Sequence, residues 1–116
     1  MKYLCLVYVE PQIFARIPAD ERAALDRDSL AYDETLKAQG HYVLAAALQS
    51  VSTAKTVRNR QGRVSATDGP FAETKEILAG FIFIEATDMD TAVAIAGRIP
   101  MARYGSIEVR AELNFG

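Results

Sequence analysis

Tryptophan is absent from this 116-residue chain, and cysteine and histidine occur once each, as Cys5 and His41. A lone cysteine closes no internal disulfide, and one Cys with one His cannot furnish a closed zinc site. No glycine-rich nucleotide fingerprint follows a strand pattern. Neither a metal nor an organic cofactor is therefore expected. Long hydrophobic runs are missing too. The longest, Tyr3–Val9 and Tyr42–Leu48, have seven residues each, where a membrane span needs roughly 20. Basic residues are scattered and the net charge is −2. That argues against nucleic acid, a partner that usually leaves a basic stripe. Met1-Lys2 lead straight into a strand-like run with no cleavable signal pattern, so the expected compartment is the cytoplasm.

What is present suits one packed domain over residues 1–116. Half of the residues are apolar and 24% are charged, which excludes wholesale disorder. Lys2–Val9 is apolar on both alternating faces: Tyr3, Cys5, Val7 and Val9 on one, Leu4, Leu6 and Tyr8 on the other. Such a strand is covered from both sides. A loop is expected over Glu10–Ile17. Pro18, Asp20 and Glu21 then suit a helix start, and Leu25, Ser29, Tyr32 and Leu36 recur at helical spacing. Gly40 is its natural stop.

His41–Leu48 reads as a second strand. Ala54–Arg58 and Arg63–Thr67 flank Asn59-Arg60-Gln61-Gly62 as a hairpin. Gly80–Ala86 is a third main strand after the loop Asp68–Ala79. Asp88 can cap a second helix whose inward stripe is Ala92, Ile95, Ala96 and Ile99, ended by Pro100. Ser106–Leu113 alternates as a half-exposed last strand.

The order β-α-β-(hairpin)-β-α-β is the split βαβ pattern of an α+β, ferredoxin-like antiparallel sheet. Two helices cover one face of such a sheet, yet three strands are apolar on both. The second face is expected to pack on a second copy of the chain, a two-fold homodimer.

The segment Thr67-Asp68-Gly69-Pro70-Phe71-Ala72-Glu73-Thr74-Lys75-Glu76 places an acid, a Gly-Pro turn, an aromatic ring and three more charges in ten residues. With the opening MKYLCLVY, the strand after Gly80 and the closing RIPMARYGSIEVR, it resembles the YCII-related family, in its DGPF branch. The resemblance implies a dimeric α+β barrel and no particular reaction. In the YCII branch a His on the first helix and an Asp before the Pro after the second helix form the suspected catalytic pair. Those positions fall near Ser29 and on Ile99 here, so the pair is not carried over. The resemblance also implies an alternative reading, a regulatory or stress-linked binding module associated with an alternative sigma factor.

The candidate residues follow from type and place. Asp68 either pins a turn or faces a pocket as general base or acceptor; pocket-facing is the expectation. Phe71 is expected to anchor the loop by packing its ring. Glu73, Lys75 and Glu76 are solvated charges or a ligand-contacting set. His41 is a proton shuttle by type, but it follows the Gly that ends a helix, where a cation is simply favoured. Cys5 reads as a small core hydrophobe. Tyr8, Ser29 and Tyr32 are expected to line a cavity between helix and sheet, or to satisfy their hydroxyls on backbone. Arg103 and Tyr104 either close a pocket or join the dimer contact. The leading reading is a homodimer that binds an unknown small molecule near the DGPF loop, with acid–base chemistry there as its enzymatic form.

Overall fold

The computed structural model describes residues 1–115. Strand β1 (Lys2–Val9) is followed by α1 (Pro11–Ala15), α2 (Ala19–Ala38) and β2 (Tyr42–Ala47). A hairpin, β3 (Lys55–Arg60) and β4 (Arg63–Asp68), precedes β5 (Ile77–Glu85), α3 (Met89–Gly97) and β6 (Ser106–Ala111). The main sheet has the order β2-β5-β1-β6 with antiparallel neighbours, and β3–β4 form a sheet of their own. This is the ferredoxin-like α+β arrangement with an inserted hairpin.

Each helix end has a local cause. Asp20 and Glu21 sit in the first turn of α2, where the peptide dipoles favour negative charge. Gly40 ends it at φ 79°, a left-handed position that costs glycine nothing, and the His41 N–H donates to the Leu36 carbonyl at 2.8 Å. The Asp88 carboxylate caps α3 by accepting the Thr91 N–H at 2.8 Å. Leu25 of α2 is buried, and Leu36 of α2 with the stripe Ala92, Ile95, Ala96 and Ile99 packs in one core with Tyr3, Cys5, Ile82 and Ile84 of the sheet. Tertiary packing on that stripe, rather than propensity, holds the helices.

Two local readings change. The expected loop Glu10–Ile17 contains the short helix α1. Pro11 opens it with a preset φ and no N–H to lose, and Arg22 holds its end, donating to the Phe14 carbonyl at 2.6 Å and stacking over the Phe14 ring. The hairpin strands also run further than expected. Gln61 and Gly62 alone make the turn, both at positive φ (53° and 82°), as a two-residue type I′ connection requires.

The second sheet face remains uncovered by this chain. Register places Leu44, Phe83 and Leu4 in one cross-strand row and Ala46, Phe81 and Leu6 in the next. The rows end in Arg110 and Glu108 of β6. Gly105 marks a close crossing, because a Cβ there would lie 2.1 Å from the Tyr8 carbonyl oxygen. Backbone cannot retreat as a flexible side chain does. Gly105→Ala is expected to cost on the order of 3 kcal/mol, read as a lower urea midpoint with the m-value unchanged.

Candidate functional site

Small side chains on two neighbouring strands create the site. Ala45 and Ala47 of β2, paired with Ile82 and Gly80 of β5, lie under α2, and a cavity of about 470 Å³ opens there. Its end is closed by Ile99, Pro100 and Met101. The alanine run that makes β2 ambiguous in sequence is what leaves the room.

The polar groups come from one face of α2: Asp26, Ser29 and Asp33, spaced by three and four residues. Asp33 is half-buried. Burial pushes its carboxyl above the usual range, with Lys37 opposing and Glu34 reinforcing the shift. Among the described residues neither the Asp33 carboxylate nor the Ser29 hydroxyl has a hydrogen-bond partner. No Lys, Arg or His is among the residues lining the cavity. The charge on its wall is carboxylate, with Lys37 acting on Asp33 from outside the lining.

Tyr32 also lines the cavity, but its hydroxyl donates to the Ile95 carbonyl at 2.7 Å and ties α2 to α3. Burial raises its pKa, with Arg98 opposing. Tyr32→Phe should therefore cost about 1 kcal/mol in denaturation while leaving ligand affinity nearly unchanged.

The expected trio of Tyr8, Ser29 and Tyr32 is corrected. Tyr8 has the strand phase of Leu4 and Leu6 and lies on the opposite sheet face. There it lines a second hollow of about 720 Å³ with Glu10, Lys75 and Glu76. Lys75 Nζ stands 3.6 Å from Glu10 Oε1, so the tail of the DGPF loop is tied to the end of β1.

Asp68 is not pocket-facing. Strand pairing sets it opposite Lys55 at the base of the hairpin, where the two form an exposed ion pair. Its side chain is 84% exposed. The turn is held by backbone instead: the Gly69 N–H donates to the Ala54 carbonyl, and the Thr56 hydroxyl to that of Gly69. Phe71 is not an anchor either; it is 80% exposed, and the Arg58 guanidinium lies over its ring at 5.9 Å. Glu73 is exposed.

His41 joins elements rather than lining a cavity. Its ring Nδ1 meets the Glu85 carbonyl at 2.8 Å, and its own carbonyl accepts the Glu85 N–H. Cys5 is fully buried, and burial alone lifts its thiol to about 11, far from a reactive thiolate. Arg103 pairs with Asp28 at 2.9 Å and the Tyr104 hydroxyl lies 3.4 Å from Glu21, so both pin α2. Among the described residues no group of three His, Cys, Asp or Glu is placed to hold a metal, and no helix is long and apolar enough to cross a membrane.

Asp33 is the residue that sequence reasoning missed. Its signal was present: a polar Ser29 interrupts the apolar stripe, and Asp33 stands one turn further on the same face. Both positions of the YCII-branch pair, Ser29 and Ile99, line this same cavity.

Three comparisons bear on the chain. The model of the YCII-related domain matches residues 1–115. An uncharacterized protein of Rhizobium meliloti (strain 1021) is 33% identical over 112 residues, covering 95% of this chain and 90% of that protein. In fold, the chain is similar to the 5-chloro-2-hydroxyhydroquinone dehydrochlorinase of Burkholderia phenoliruptrix AC1100, solved in complex with 2,5-dihydroxybenzoquinone. The TM-score is 0.53 at 20% identity, over 97% of this chain and 94% of that one.

Proposed function

We propose that this chain, which belongs to the YCII-related family, acts as a homodimer that binds a small neutral cyclic molecule under α2 and moves a proton on it. The observation that carries the reading is Asp33, a half-buried carboxylate without a hydrogen-bond partner in the wall of an apolar cavity. A carboxylate left so is costly to the fold, and such groups cluster at functional sites. In this reading Asp33 removes a proton from a hydroxyl or an acidic C–H. The Ser29 hydroxyl then donates to the oxygen on which charge develops. The neighbour's ligand is a six-membered oxygenated ring, and a ring of that size suits a cavity of about 470 Å³. The lining carboxylates disfavour anions, so neutral phenols and ketones are the class.

The homodimer reading rests on the uncovered rows Leu44–Phe83–Leu4 and Ala46–Phe81–Leu6. The test of the site uses hydroquinone as probe. Its titration should shift backbone amide resonances of Ser29, Asp33, Ala46 and Gly80. Shifts confined to the hollow beside Tyr8 and Lys75, or none at millimolar probe, would remove this site. Binding without any proton transfer would instead favour the non-enzymatic binding module.

A further inference from the structure

Lys37 stands one helical turn beyond Asp33 on α2, the spacing at which an acid and a cation pair across a helix face. Helical side chains lean back toward the N-terminus, so a lysine there can reach the residue four before it or the one three before it. Those residues are Asp33 and Glu34. The lysine takes the second: its Nζ donates to Glu34 Oε1 at 3.0 Å, and the ammonium lies 4.9 Å from the centroid of the Tyr42 ring. Among the described residues Asp33 has no ion pair, and Lys37 is not among those that line the cavity.

Tyr42 is a fixed platform for that ammonium. It opens β2, pairs with Ile84 and packs against the core, so the sheet sets where its ring face lies. No other cation reaches the site from the elements packed around Asp33. β1, β2 and β5 line the cavity with uncharged residues, and Ile99, Pro100 and Met101 close its end. The other titratable groups of the lining are Asp26, on α2 itself, and Tyr32, whose hydroxyl is bound to the Ile95 carbonyl. The charge beside Asp33 is therefore decided within α2, by where one lysine points.

From this arrangement we infer that Glu34 and Tyr42 are positioning residues, which hold the Lys37 ammonium off Asp33 and leave the carboxylate free to accept a proton. An ammonium bonded to Asp33 would occupy an acceptor oxygen and favour the ionised form, which weakens the base. From its present place Lys37 only opposes the effect of burial, and Glu34 reinforces that effect. The catalytic meaning of the arrangement rests on the reading of Asp33 as the base.

The test is a cycle of Glu34→Gln and Lys37→Gln, with the Asp33 carboxyl carbon titrated by NMR in each chain. Glu34→Gln removes a neighbouring negative charge and also frees Lys37, so the Asp33 midpoint should fall. In the Lys37→Gln chain only the first effect is left. The fall should therefore be larger by about 0.3 pH units where Lys37 is present, the scale of a pair one turn apart on a helix. Raised salt should shrink that excess. Tyr42→Phe keeps the ring face and should leave the midpoint in place, whereas Tyr42→Leu should lower it only while Lys37 is present. Equal falls with and without Lys37 would overturn the inference. The full excess in a chain that takes up no deuterium into cyclohexanone from deuterated water would overturn the base reading and leave the withheld lysine standing.

Discussion

Asp33→Asn should abolish proton transfer while leaving the chain folded and at least as stable as the wild type. A suitable probe is cyclohexanone in deuterated water, followed as deuterium uptake beside the carbonyl. In the proposed mechanism the Asp33 carboxylate takes the α-proton, the electron pair moves onto oxygen to give the enolate, the carboxyl proton exchanges with the deuterated solvent, and a deuteron returns to carbon. A positioned general base contributes about 10²–10⁴-fold, so the substitution should cost at least about a hundredfold in rate. Ser29→Ala should cost less, because it removes one donor to the enolate oxygen rather than the base.

The pH dependence follows from the direction of the shift. Burial raises the Asp33 carboxyl, so the ionised base is lost as pH falls through a value above about 4, the ordinary carboxylate figure. The rate should rise with pH through that higher value and then level. Stability runs the other way. Between the ordinary and the raised value the native chain holds a proton that the unfolded chain has released. Stability therefore declines as pH rises through that window. Asparagine removes the penalty, so the thermal midpoint at pH 7 should be equal or higher. An unchanged exchange rate in Asp33→Asn would end the role of Asp33 as base.

The faces of the sheet were legible because strand side chains alternate strictly. Tyr3, Cys5 and Val7 could only share one face, with Leu4, Leu6 and Tyr8 on the other. The same rule, applied to Tyr8 in company with Ser29, separates them. Grouping them by their hydroxyls overrode the phase. The helices were legible from their stripes and caps, Asp88 above all. Asp68 was misplaced because a distinctive string identifies a family without saying where its residues point. Strand β4 runs on to Asp68 and spends the carboxylate on Lys55. The cavity itself is a volume left by alanines on β2, and a sequence records such space only as small residues.

On the proposed homodimer reading, Phe83→Asp should turn the dimer into a folded monomer. Phe83 stands in mid-strand of β5, between Leu44 on β2 and Leu4 on β1, on the face this chain leaves uncovered. In the separated chain the new carboxylate meets water, so the fold keeps most of its stability. In a two-fold contact the same substitution occurs twice, and each carboxylate would be buried against the apolar rows of the other copy. A buried unpaired charge costs about 3–5 kcal/mol. Even one such cost raises the dissociation constant by at least about a hundredfold, and two by far more. Sedimentation at micromolar concentration should then show one species of monomer mass, with far-ultraviolet circular dichroism close to wild type. Glu108→Gln is the companion control. It lies in the same cross-strand row as Phe81 and Leu6 but on β6, where the face turns polar. It should leave the dimer intact. A Phe83→Asp chain that still sediments as a dimer would place the contact elsewhere than on this sheet face.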